Sequence, residues 1–114
     1  MTTQSGKNQK WTIKPLYREE VRGLFLKGLG ATMKSPSTAM DVFSFDDGSH
    51  VGVIFADEAL DADQAKLGAW LEFIVDQPER VAGKLDALGV ARVDYMDKSH
   101  SYHQAPGGPI FRLA

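Results

Sequence analysis

His100 and His103 stand three residues apart, just ahead of a Pro-Gly-Gly-Pro turn at 106–109 and the run Ile110-Phe111-Arg112-Leu113. Two imidazoles can share a divalent ion only when both point the same way. On a strand an odd separation sends them to opposite faces, and the spacing also departs from the i, i+4 pair that converges on a helix. His50 follows an Asp-Asp-Gly-Ser turn and is the third imidazole of the chain. His50, His100 or Glu72 can each move a proton if burial tunes its pKa, yet no nucleophile with a base and an orienting partner is visible. Gly107-Gly108 lies between two prolines and not between a strand and a helix, so it serves a turn and not a phosphate. Asp94, Tyr95 and Asp97 read as strand and loop polarity, since no complete oxygen-ligand pattern for calcium follows them.

These residues need elements to hold them. Residues 1–9 are polar and without periodicity and read as a loose tail. Trp11 to Leu16 reads as a first strand, ended by Pro15. From Tyr17 to Leu29 the apolar residues Val21, Leu24, Phe25 and Leu29 recur at helical spacing. Glu19 and Glu20 sit in that helix's first turn, Lys27 in its last, and Gly30 after it as a cap. A short strand is expected at 31–35, another at 39–45, then an Asp-Gly hairpin and a returning strand at 51–55. Residues 57–68 are acidic and alanine-rich and read as an exposed connection. A strand at 69–75, a helix opened by Pro78 with the stripe Val81, Leu85 and Leu88, and strands at 91–95, 101–104 and 110–113 complete the chain.

The order strand, helix, three strands therefore occurs twice. FLKGLG at 25–30 parallels KLDALG at 84–89, and FDDGSHVGV at 45–53 parallels APGGPIFRL at 105–113. Neither half can cover both its helix and its sheet alone, so the halves should pack together. The expected fold class is α+β: two such modules, 10–56 and 69–114, forming one curved mixed sheet with a concave cavity and outer helices, within a single domain 10–114.

Composition narrows the function. The 114 residues carry 13 Lys+Arg and 15 Asp+Glu, for a formal charge of -2, which offers no basic field for nucleic acid. No cysteine is present, which excludes thiol catalysis, disulfides and thiolate metal sites. No apolar run reaches the ~20 residues of a membrane span and the start lacks an apolar leader core, so a cytoplasmic protein with no membrane partner is expected.

The duplicated plan, with LFLKGLG, AWLEFIVDQ and SYHQAPGGPIFRL in this order, resembles the glyoxalase/bleomycin-resistance/extradiol-dioxygenase superfamily, also called the vicinal oxygen chelate fold. The resemblance covers about residues 10–114. It implies ligands in the cavity of the curved sheet, module pairing within or across a homodimer, and in the metalloenzymes a histidine early in a module's first strand and a glutamate in its last. In the second half those positions fall on Trp70 and Arg112. In the first they fall near Lys10 or Thr12 and on Gly52. None of Trp70, Arg112 and Gly52 can replace an imidazole or carboxylate ligand, so no metal and no cofactor are expected here.

Alternation completes the expectation. If Leu71 and Phe73 pack under the second helix, Trp70, Glu72 and Ile74 face the cavity, as do Ile110 and Arg112 opposite Phe111 and Leu113. Arg112 has two readings, an ion pair that offsets Glu72 or an anion-recognising fork. Trp70 can stack a ligand or fill space, Tyr102 can lend a hydroxyl from the rim, and His50, aligned with Ile110, can approach from the first half. The ligand-binding set is thus Trp70, Glu72, Tyr102, Ile110, Arg112 and His50, with no catalytic residue assigned. The function this implies is a non-metal binding protein for a small organic ligand, a drug or toxin sequesterer, working as a homodimer. The alternative is a divergent lyase, isomerase or dioxygenase with metal ligands relocated to His50, His100 or His103.

Overall fold

The computed structural model describes residues 2–114. β1 (Asn8–Ile13) starts two residues before the expected module boundary, because Lys7 and Asn8 already run beside the returning strand; His50 N–H donates to the Lys7 carbonyl at 2.8 Å. Pro15 ends the strand as expected, opening a 3-10 turn (Pro15–Tyr17) that leads into α1 (Arg18–Gly23). The expected long helix then widens into a π turn over Leu24–Gly28, and Gly30, at φ +71°, closes it. Val21, Leu24 and Phe25 are buried as their spacing requires.

β2 (Thr32–Ser37), β3 (Met40–Ser44) and β4 (His50–Phe55) complete the first half. β2 runs through Pro36, which is tolerated because β2 is an edge strand and its pairing with β3 is broken between Lys34 and Ser37. The connection is not featureless. It holds a one-turn helix, α2 (Ala62–Ala65), whose start is fixed by the Asp61 N–H donating to Gln64 Oε1 at 3.1 Å. β5 (Leu71–Phe73), α3 (Pro78–Ala87), β6 (Arg92–Val93), β7 (Ser101–Gln104) and β8 (Ile110–Leu113) form the second half. β6 is two residues rather than five. The segment after it turns back on its own side chains, with Lys98 on Asp94 and Ser99 and His100 on Asp97.

Backbone hydrogen bonds divide the expected single sheet into two four-stranded sheets, ordered β1-β4-β3-β2 and β5-β8-β7-β6. In each, the first strand pairs parallel to the last and the other pairs are antiparallel. The halves meet through side chains. Phe25 stacks on Phe43 of its own half at 4.3 Å and meets Phe73 of the other edge-on at 6.1 Å, while Trp11 lies 6.3 Å from Phe73. Tyr17 packs directly over Gly107, where φ is +69° and any Cβ would collide with the ring.

One carboxylate is fully buried in the first half. Asp41 sits on the helix side of β3, as alternation with Phe43 requires, and is gripped by two arginines one turn apart on α1. Arg18 donates to it at 2.7 and 3.2 Å, Arg22 at 2.8 and 3.1 Å, and Ser35 at 2.7 Å. Burial alone would raise its pKa, but the bonds from Arg22, Arg18 and Ser35 outweigh that and hold it well below the usual carboxylate range. In the second half the helix-facing polar residue is His103, buried and stacked on Phe111 at 5.5 Å. Its Nε2 meets Ser101 Oγ at 3.1 Å and its Nδ1 has no partner. Burial, then the nearby Arg92 charge, lower its pKa and keep the ring neutral.

Two outcomes follow from these buried groups. Asp41→Asn should cost about 3 kcal/mol at neutral pH in a urea titration, since two guanidiniums lose their counter-charge. The folded carboxyl titrates below its unfolded value of about 3.9, so its stabilisation is present above that pH, and the difference between the two proteins should shrink as pH falls through it. His103 has the same sign for a different reason: the unfolded chain takes a proton near pH ~6.5 before the folded one does, so stability is lost as pH falls below that value. His103→Phe should flatten that dependence between about pH 7 and pH 5 while keeping stability within about 1 kcal/mol at pH ~8.

Candidate functional site

The pairing of β7, β8 and β5 decides which side chains share the inner face of the second sheet. Tyr102 lies opposite Arg112, and Arg112 lies beside Glu72. Phe73, Phe111 and Leu113 are buried on the opposite side, as the alternation predicts. Trp70, one residue before β5, lies under the Arg112 guanidinium, whose carbon is 5.0 Å from the ring centre. Four of the six expected residues, Trp70, Glu72, Tyr102 and Arg112, are thereby brought together.

The other two are elsewhere. Ile110 occupies the same face of β8 but is buried beside Gln104, whose side chain donates to the carbonyls of Ala62 and Gly108 at 2.8 and 3.0 Å, so α2 closes that end. His50 stays in the first half, with Nδ1 2.8 Å from Ser44 Oγ. The expected concave cavity is accordingly not what the inner face presents. It is an open aromatic platform at one end, with Trp70 40% exposed, and is covered at the other.

Two residues first read as loop polarity belong to the platform. Tyr95 stacks on Tyr102 at 4.4 Å, and Trp70 meets both tyrosines edge-on at 6.4 and 5.8 Å. Asp97 accepts from Tyr102 Oη at 3.0 Å and contacts His100 Nδ1 at 2.8 Å. Ser99, through its hydroxyl and its N–H, then His100, hold the Asp97 carboxyl well below the usual range. Burial, with Asp97 adding to it, raises the Tyr102 pKa. A pocket of about 120 Å³ opens beside Tyr95, Asp97, His100 and Tyr102. The signal for Tyr95 was the register of β6, where Val93 opposite Tyr102 sets Tyr95 on the same side.

Arg112 is paired along one side of its fork with Glu72. Nε donates to Glu72 at 2.8 Å, Nη2 binds the same carboxylate, and Nη1 reaches Tyr102 Oη at 3.4 Å with Asp97 at 3.5 Å. The bonds to Glu72, then Tyr102, raise its pKa. These hydrogen bonds engage three of the five guanidinium N–H groups, with Glu72 as the main partner. Two carboxylates share one guanidinium, so the platform carries an excess of negative charge against the electron-rich faces of three aromatic rings.

The positions at which the superfamily resemblance implies metal ligands are filled by this stacked pair, Trp70 and Arg112. An indole ring and a guanidinium have no lone pair to give a cation, and the guanidinium repels one. The residues present do not fit a metal. The relocated set fares no better: His100 is committed to Asp97, His103 is buried against Phe111, His50 is in the other half, and among the described residues no three His, Asp or Glu side chains form a ligand group.

In sequence, neither a protein-family model nor a curated protein matches the chain. Solved structures do match it in shape. A Bacillus anthracis protein assigned to the glyoxalase family superposes with a TM-score of 0.73 at 12% identity, over 99% of this chain and 95% of that one. The genomically encoded fosfomycin resistance protein FosX from Listeria monocytogenes gives 0.72 at 12%, over 98% and 90%. FosX from Mesorhizobium loti gives 0.72 at 13%, over 98% and 91%. At these identities the likeness carries the fold alone, and that fold is the one the sequence resemblance implied, the vicinal oxygen chelate fold.

Proposed function

We propose that the chain is a metal-independent binding protein for a small organic ligand, of the glyoxalase/bleomycin-resistance type, which sequesters a drug or toxin without making or breaking bonds. The observation that carries this reading is Arg112, paired with Glu72 and stacked on Trp70, where the resemblance places metal ligands. Trp70 offers its exposed edge and Tyr95 and Tyr102 the rest of the platform, while Glu72 and Asp97 favour a flat ligand that is cationic or rich in donors. Tyr102 has its hydroxyl tied between Asp97 and Arg112, and so orients the charged pair. Ile110 and His50 act at the margins.

The protein works in the cytoplasm as a homodimer on this reading. No helix among the described residues is long and apolar enough to cross a membrane. Ile74 and Met96 stand 85% and 90% exposed, and Ile74 shares the Trp70 face by alternation; a second copy would cover such surface.

Proflavine, a planar aromatic cation, is a suitable probe because Trp11 is buried and Trp70 is exposed. Proflavine should quench the exposed indole, and Trp70→Ala should weaken its binding roughly tenfold, the worth of one stacking contact. Glu72→Gln should weaken proflavine and leave an uncharged planar analogue unaffected. Chelation with EDTA should change neither the proflavine affinity nor the thermal midpoint; a chelator-sensitive affinity, or equal binding by the Trp70→Ala protein, would overturn the reading.

A further inference from the structure

The two halves are copies of one plan, so a space filled in one and open in the other is informative. In the first half, β3 places Asp41 opposite Val53 of β4, facing α1. In the second, β7 places Ser101 opposite Leu113 of β8, facing α3. α1 carries two arginines one turn apart, Arg18 and Arg22, whereas α3 carries a single arginine, Arg80. Where the first half has a carboxylate and two arginine side chains packed between helix and sheet, the second has a serine and no arginine pair. The result is a cleft of about 700 Å³ on the outer side of the second sheet, with Ser101 and Leu113 in its floor. That volume is within the range of small-molecule pockets.

The lining indicates what the cleft accepts. Pro78 supplies apolar surface over the buried Ala82 and Leu113. Among the side chains, Arg80 and Arg92 line the cleft against a single carboxylate, Glu79. Arg92 is anchored on Asp86 through Nε at 3.0 Å and Nη2 at 3.0 Å. Arg80 enters none of the ion pairs among the described residues. His100 also lines the cleft, and with Nδ1 held by Asp97 its Nε2 is left for a ligand. An uncommitted guanidinium and an oriented imidazole beside Pro78 match a carboxylate on a small organic body.

We propose that this outer cleft is a second binding site, on the other side of the sheet from the Trp70 platform and meeting it at His100, that takes a small organic carboxylate, with Arg80 as its ionic anchor and His100 as its second polar contact. The site uses the room vacated by the missing counterpart of the Asp41 cluster.

The test is a titration of the isotope-labelled protein with benzoate, followed by amide NMR, with benzamide as the uncharged comparator. Millimolar benzoate should shift the signals of Arg80, of residues 99–101 and of Leu113. Arg80→Gln should weaken it roughly tenfold, the worth of one charge-assisted bond, and benzamide should bind more weakly by a similar factor. The proposal falls if benzoate leaves these signals in place, if it moves only those of Trp70, Tyr95 and Tyr102, or if Arg80→Gln or benzamide binds as well. Proflavine quenching is read separately, so its failure would remove the platform reading and leave the benzoate result standing.

Discussion

Neither half of this protein can close its own core, and the side chain that closes both is Phe25. It leaves α1 at the start of the π turn, lies flat on Phe43 in its own half and sets its edge against Phe73 in the other. Because the two sheets share no backbone ladder, this aromatic contact, with Trp11 beside it, fixes how the halves face one another. The buried aromatic area is large and each ring pair adds a directional preference, so the contact is both cohesive and specific.

Much of this could be read from residue order. The spacing of Val21, Leu24 and Phe25 gave the helix its buried face, the Asp-Gly turn joined β3 to β4, and alternation around Phe111 sent Arg112 to the inner side of the sheet. Those features are local, governed by periods of 3.6 and 2 and by turn chemistry. The family resemblance also singled out Trp70 and Arg112, which the structure brings into contact.

What escaped the sequence depends on contacts between distant segments. Asp41 alternates with Phe43 in plain view, but that Arg18 and Arg22 would both turn to it follows from helix placement over the sheet. Tyr95 and Asp97 looked like polarity at the end of a strand; the strand stops at Val93 and the loop folds back to add both to the platform. The concave cavity was expected from the family plan, whereas the volume of side chains on the inner face and the docking of α2 through Gln104 decide how much of it stays open. The outer cleft had no local signature, since only comparison of the two halves in three dimensions shows what is missing there.

The guanidinium of Arg112 has one more consequence. It places a positive charge of fixed sign beside Trp70, attached to the polypeptide by covalent bonds. Such a charge does not dissociate and does not exchange with competing ions, so its place beside Trp70 is inherited with the gene product.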